Sequence, residues 1–136
     1  MELTIEQALR RGVSSHKEGN LEEAEKFYRT VLSFQPEHSD ANHNLGVLTA
    51  SIGNVAVAIP HFEIALKTNP KREQYWFSYI NALIKIEQFS KARQILKQGQ
   101  DSGLNGPKVE ALKVQLGSQD AYFVKKTEPS KEQINS

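Results

Sequence analysis

Between Leu21 and Phe34 the apolar residues Leu21, Ala24, Tyr28, Val31 and Leu32 fall on one stripe of a 3.6-residue period. On the opposite face Glu22 and Lys26, and Glu25 and Arg29, stand four apart as complementary charge pairs. The pattern predicts an amphipathic helix over 21–34. Thr4, Ile5, Glu6 and Gln7 read as a capping box opening an earlier helix, in which the threonine oxygen accepts from the Gln7 amide and the glutamine side chain reaches back. Gly19-Asn20 and Gly53-Asn54 read as turns, the glycine taking φ > 0 and the asparagine capping the next helix. Pro36 and Pro70 follow helix ends and stop propagation. Val109, Leu112 and Leu116 share a stripe behind Pro107, which predicts a short last helix.

These signals recur at a fixed interval. Gly12 returns as Gly46, Gly19 as Gly53, Ala24 as Ala58 and Pro36 as Pro70, and the aromatic Tyr28 is answered by Phe62, all with one 34-residue period. The chain divides accordingly into 5–38, 39–72 and 73–106, about three quarters of its length. Small residues at Gly12, Gly46, Ala24 and Ala58 allow paired helices to approach closely. Two helices per unit plus the last one predict seven helices over about 5–116 and no strand. Pro60 falls inside a helical run, so a mild kink or an exposed position is expected there.

The repeated residues resemble the tetratricopeptide repeat. The second unit carries the pattern most fully, with Leu45-Gly46, Ala58, Phe62, Ala65 and Pro70; the third has its tryptophan as Trp76 and its alanine as Ala92. The third departs at Ile80 and Glu87, where the pattern has glycine, and at Leu104, where it has proline; the first has Ala8 and Arg11 at the tryptophan and leucine positions. The resemblance implies an all-α solenoid of three helix-turn-helix repeats within residues 1–116, closed by a capping helix over about 107–116. Residues 117–136 are expected to form a flexible tail or a linker to a further domain. Within it, Pro129 precedes helix formers that stop at Ser136 before an apolar face is complete, which reads as a fragment of something longer.

Composition narrows the function. At 136 residues with 38% hydrophobic and 24% charged residues, the chain can bury one ordinary core. A formal net charge of +1 provides no global field to gather nucleic acid or an anionic membrane. No cysteine is present, no basic and apolar leader is visible, and the run Val55–Pro60 is too short to span a bilayer; the expectation is a cytoplasmic protein. His16, His38, His43 and His61 have no metal-ligand spacing, and no nucleophile elbow or phosphate-binding glycine loop occurs. Asp40 to Asn44 reads as a repeat junction in which Ser39 or Asp40 caps a helix. No catalytic residue, metal or cofactor is assigned, and the chain is not expected to be an enzyme.

The resemblance also implies that the first helix of each repeat lines a concave groove. Its inward positions are Glu6, Leu9, Arg10, Val13, His16 and Lys17 in the first repeat, and Asp40, His43, Asn44, Val47, Ala50 and Ser51 in the second. In the third they are Gln74, Phe77, Ser78, Asn81, Ile84 and Lys85. Leu9, Val13, His43, Asn44, Val47, Phe77, Asn81 and Ile84 are the residues expected to hold a peptide or helix, through apolar burial with amides for register. Chaperone-binding members grip a terminal carboxylate at positions occupied here by Leu9, Val13, Asn44, Gln74 and Ser78; only Asn44 matches. The asparagine ladder of the peptide O-linked N-acetylglucosamine transferases is broken as well, since Arg10 and Ser78 flank Asn44. The expected role is a protein-interaction scaffold with a protein or peptide partner, monomeric or weakly homo-oligomeric. The second reading is the recruiting region at the N-terminus of a longer, bacterial-type transferase.

Overall fold

The computed structural model describes residues 2–127, with side chains described as far as Gly117. Among the described residues there are seven helices and no strand: α1 (Ile5–Lys17), α2 (Leu21–Phe34), α3 (Ser39–Ser51), α4 (Val55–Thr68), α5 (Glu73–Lys85), α6 (Phe89–Asp101) and α7 (Pro107–Thr127). The odd-numbered helices begin at Ile5, Ser39, Glu73 and Pro107, evenly spaced by the interval read from the sequence, so the sequence period is the structural period. The fold is an all-α solenoid of this repeat type.

The chain falls into two compact units, one ending at Ile86 and the other beginning at Glu87. In the first, α1 packs on α2, α3 on α4, and each hairpin on its neighbour, with α1, α3 and α5 side by side. Its core holds Ala24, Tyr28, Leu45 and Leu48, with Ala8, Val31 and Ala41 in a neighbouring cluster; Leu9 and Leu32 pack against both. In the second unit α6 packs on α7, and Val109, Leu112 and Leu116, the stripe read from the sequence, are buried.

Local chemistry explains the helix ends. The Thr4 hydroxyl accepts from the Gln7 amide at 3.1 Å while the Gln7 side chain accepts from the Thr4 amide at 2.9 Å, completing the capping box. Asn20 caps α2 through its side chain, whereas Asn54 makes no such bond at the start of α4. The cap of α3 is neither Ser39 nor Asp40: His38 takes that place, its Nδ1 accepting from the Ala41 amide at 3.1 Å. An acceptor nitrogen on a ring serves there as a carboxylate or hydroxyl would, which leaves Asp40 free for other contacts. Pro60 lies within α4 at an exposed position.

The last helix differs from expectation. α7 runs from Pro107 to Thr127, past the 107–116 expected for the capping helix. No proline interrupts the chain between Pro107 and Pro129, and Gly117 within a helix costs only about 1 kcal/mol relative to alanine. Residues 128–136, with the expected start of a further helix, lie outside the described residues.

Candidate functional site

The site is built on the facing sides of α3 and α5. Val47, Ala50 and Ser51 of α3 and Ser78, Asn81, Ala82 and Lys85 of α5 line a cleft of about 310 Å³, and Val55 and Phe62 of α4 complete its wall. Five of the nine lining residues are apolar; the hydroxyls of Ser51 and Ser78, the Asn81 amide and the Lys85 ammonium supply the polar ones. A volume of this order is at the small end of ligand pockets, on the scale of an inserted side chain.

Beside the cleft a polar network ties α3 to α5. His43 is only 6% exposed and shares a 2.7 Å hydrogen bond between Nε2 and the Ser78 hydroxyl, a cleft-lining group. Its ring lies 4.9 Å from that of Tyr75 and 5.7 Å from that of Phe62, centroid to centroid. The Tyr75 hydroxyl donates to Asp40 Oδ1, which also accepts from Arg72 at 2.8 Å, and the Arg72 guanidinium lies over the Tyr75 ring. Burial holds the His43 pKa below its ordinary value; a hydrogen bond with Asn44 opposes this, Arg72 adds to it, and Asp40 opposes it. Neutral imidazole is the form that this environment accepts.

A second set of bonds fixes the base of α3. Asn42, 1% exposed, donates through Nδ2 to the carbonyls of Pro36 and His38, both at 3.0 Å, and its Oδ1 lies 3.0 Å from His61 Nδ1. Trp76, at the same position of the next repeat, donates through its indole N–H to the Pro70 carbonyl at 2.7 Å. Two chemically different side chains thus make the same tie, each to the carbonyl of the proline that ends the preceding helix. These bonds set where α3 and α5 enter, and hence the cleft between them.

Of the residues expected in the groove, the cleft brings together Val47 and Asn81, with Ala50, Ser51, Ser78 and Lys85 from the wider set of inward positions. Leu9 and Val13 are half-buried against Ala24, Tyr28, Leu45 and Leu48, so much of their surface is already spent on the core. Asn44, Phe77 and Ile84 are half-buried and do not line the cleft. His43 differs from the expectation of an accessible ligand contact: it is a buried support for Ser78. Val55, Phe62 and Ala82 were missed because their apolar character marks them equally as core. Among the described residues no group of three or more His, Cys, Asp or Glu could hold a metal ion, and no helix is long and apolar enough to cross a membrane.

Paired helices recurring at a fixed interval, with a cleft between successive first helices, define a helical-repeat protein. Two models of the tetratricopeptide repeat match the chain, one over residues 49–116 and the other over 8–38, and the chain belongs to the tetratricopeptide repeat family. No curated protein sequence gives a significant match. Among solved structures, the first tetratricopeptide domain of Spaghetti, bound to an HSP90 peptide, is 14% identical with a TM-score of 0.77, over 86% of this chain and 93% of that one. The Yersinia enterocolitica type III secretion chaperone SycD, in complex with a peptide of the translocator YopD, is 20% identical with a TM-score of 0.71, over 93% and 97% of the two chains. PilF of Pseudomonas aeruginosa is 20% identical with a TM-score of 0.72; 87% of this chain is covered, and it spans only 54% of the PilF chain. Identities this low establish a shared fold.

Proposed function

We propose that the protein is an interaction scaffold whose α3–α5 cleft receives an apolar side chain of a peptide partner. The observation that carries this reading is the cleft itself: apolar walls from Val47, Val55, Phe62 and Ala82, with hydrogen-bonding groups of Ser51, Ser78 and Asn81 beside them. Burying one apolar side chain supplies affinity, and the adjacent amide and hydroxyls fix the register of the partner's backbone. Family membership supports the reading, as do two structures of the same fold that hold peptides, the Spaghetti domain and SycD. Leu9, Val13, Asn44, Phe77 and Ile84 extend the apolar and amide surface on which the rest of such a peptide would lie. Cytoplasmic location and a monomeric or weakly self-associating state belong to the same proposal. The transferase-linked alternative draws no support from these structures.

The test is a peptide array probed with the whole protein and with Val47→Asp. Val47 is 36% exposed, so a carboxylate there meets water as well as the cleft and leaves the core intact. Peptides with a central leucine or phenylalanine should bind the wild-type protein and lose most of their signal with the variant at an unchanged melting temperature. Equal binding by the two proteins would contradict the cleft as the site. Phe77→Ala tests the wider groove in the same way.

A further inference from the structure

The charges at the inward positions of the first helices are unbalanced. At the inward positions of α1, α3 and α5 the acidic residues are Glu6 and Asp40, and the basic ones are Arg10, Lys17 and Lys85. Asp40 is already engaged, by Arg72 at 2.8 Å and by the Tyr75 hydroxyl. Arg10, Lys17 and Lys85 are exposed, and none has an ion-pair partner among the described residues. Lys85 itself lines the cleft. Lys17, Ser51 and Lys85 occupy one repeat position, in the last turns of three helices that lie side by side. They form a row along one edge of the groove, two ammonium groups on either side of the Ser51 hydroxyl, which donates to the Leu48 carbonyl at 2.6 Å and leaves the lysines as the donors for a partner.

Building on the reading above, we infer that the partner is an acidic peptide segment: an apolar side chain in the α3–α5 cleft, with neighbouring aspartate or glutamate side chains meeting the Lys17–Ser51–Lys85 row. Lys85 in the lining of a small apolar recess, with Lys17 at the same repeat position of α1, is complementary to that combination, and the two cations repel a segment that flanks its apolar residue with lysine or arginine. The carboxylates are those of side chains within the segment. A grip on a chain-terminal carboxylate needs convergent donors, whereas the row is linear and its two charges stand on the outer helices α1 and α5.

The experiment uses the full chain and labelled peptides that are acetylated and amidated, so that every carboxylate is a side chain. One set places glutamate on both sides of a central leucine, a second serine, and a third lysine; a fourth repeats the serine set with a free C-terminus. Fluorescence anisotropy in low salt should give affinities about three- to ten-fold tighter for the glutamate set than for the serine set, with the lysine set weakest. Raising the salt should compress that ratio. In Lys17→Ala/Lys85→Ala the glutamate-over-serine ratio should fall toward one, at a melting temperature within a degree or so of wild type, since both side chains are exposed. Equal affinity for the glutamate and serine sets, or binding of the free C-terminus set alone, would overturn the acidic-segment inference while leaving the cleft reading intact. Absence of binding by every set would remove both.

Discussion

In the α1–α2 hairpin a Cβ placed on Gly12 would stand 2.7 Å from Tyr28 Cε1, and in the α3–α4 hairpin a Cβ on Gly46 would stand 2.7 Å from Phe62 Cε1. The helix crossing is the same, yet the first helices of the two hairpins differ. α1 buries Ala8, Gly12 and Ser15, whereas α3 buries Ala41, Asn42, His43, Leu45, Gly46, Leu48 and Thr49. Among the described residues α3 has α1, α2, α4 and α5 around it, while α1 packs only on α2 and α3. A helix enclosed on several sides can keep polar residues only if they are bonded. Thr49 donates to the Leu45 carbonyl at 2.7 Å, and Asn42 and His43 are held as described. Their counterparts in α1 are Ser15, Ala8 and Leu9. Ser15 is as buried as Thr49, so the contrast lies at Ala8 and Leu9, apolar where the more enclosed α3 carries the bonded Asn42 and His43.

The largest test of this contrast is overpacking. Glycine to a larger residue within a helix ordinarily gains propensity, but at Gly46 the Phe62 ring occupies the space, so Gly46→Val should cost about 3 kcal/mol in urea denaturation. Gly12→Val should cost about 1–2 kcal/mol, because the outer hairpin can shift. Equal costs would show that enclosure does not matter. Next, Asn42→Ala leaves the Pro36 carbonyl without its side-chain donor and should cost about 2 kcal/mol. No equivalent loss is available at Ala8, so Ala8→Asn should not recover that amount in α1.

The helix pattern was legible because the local signals agree: capping box, turn glycines and terminating prolines all keep one interval. Less of the site was legible. Inward positions could be carried over by register, and six of them line the cleft, but register does not say which are already used by the core or by another side chain. His43 reads as a groove contact and Asp40 as a helix cap or inward position until Tyr75, Ser78 and Arg72 are placed beside them. The length of α7 escaped because the sequence from Gly117 onward is mostly polar, so no apolar stripe marks the continuing helix.

A smaller effect follows from the buried imidazoles. Burial lowers the pKa of His43 and of His61, with Arg29 adding to the latter. The unfolded chain therefore binds protons more readily than the folded one, so the stability from the neutral rings is complete above about pH 6.5 and is lost as pH falls through the lower folded-state values. Urea midpoints should drop on acidification below that point, and His43→Gln should flatten part of the drop. An unaltered profile in that variant would mean that His43 is not the titrating support.

The smallest effect has the opposite sign. Gly19 and Gly53 turn with φ of 82° and 96°, and at the same repeat position Glu87 takes φ of 62°. A side chain is strained in that region, so Glu87→Gly should raise stability by about 0.5–1 kcal/mol, read as a higher denaturation midpoint.

A peptide bound between α3 and α5 would perturb the backbone of the residues that line the cleft. Amide chemical-shift mapping of the labelled protein, titrated with the glutamate-flanked leucine peptide, tests it residue by residue. Saturable shifts should concentrate at Val47, Ala50, Ser78, Asn81 and Lys85. Shifts centred instead on the exposed apolar residues Phe34 and Val57, outside the cleft, would contradict it.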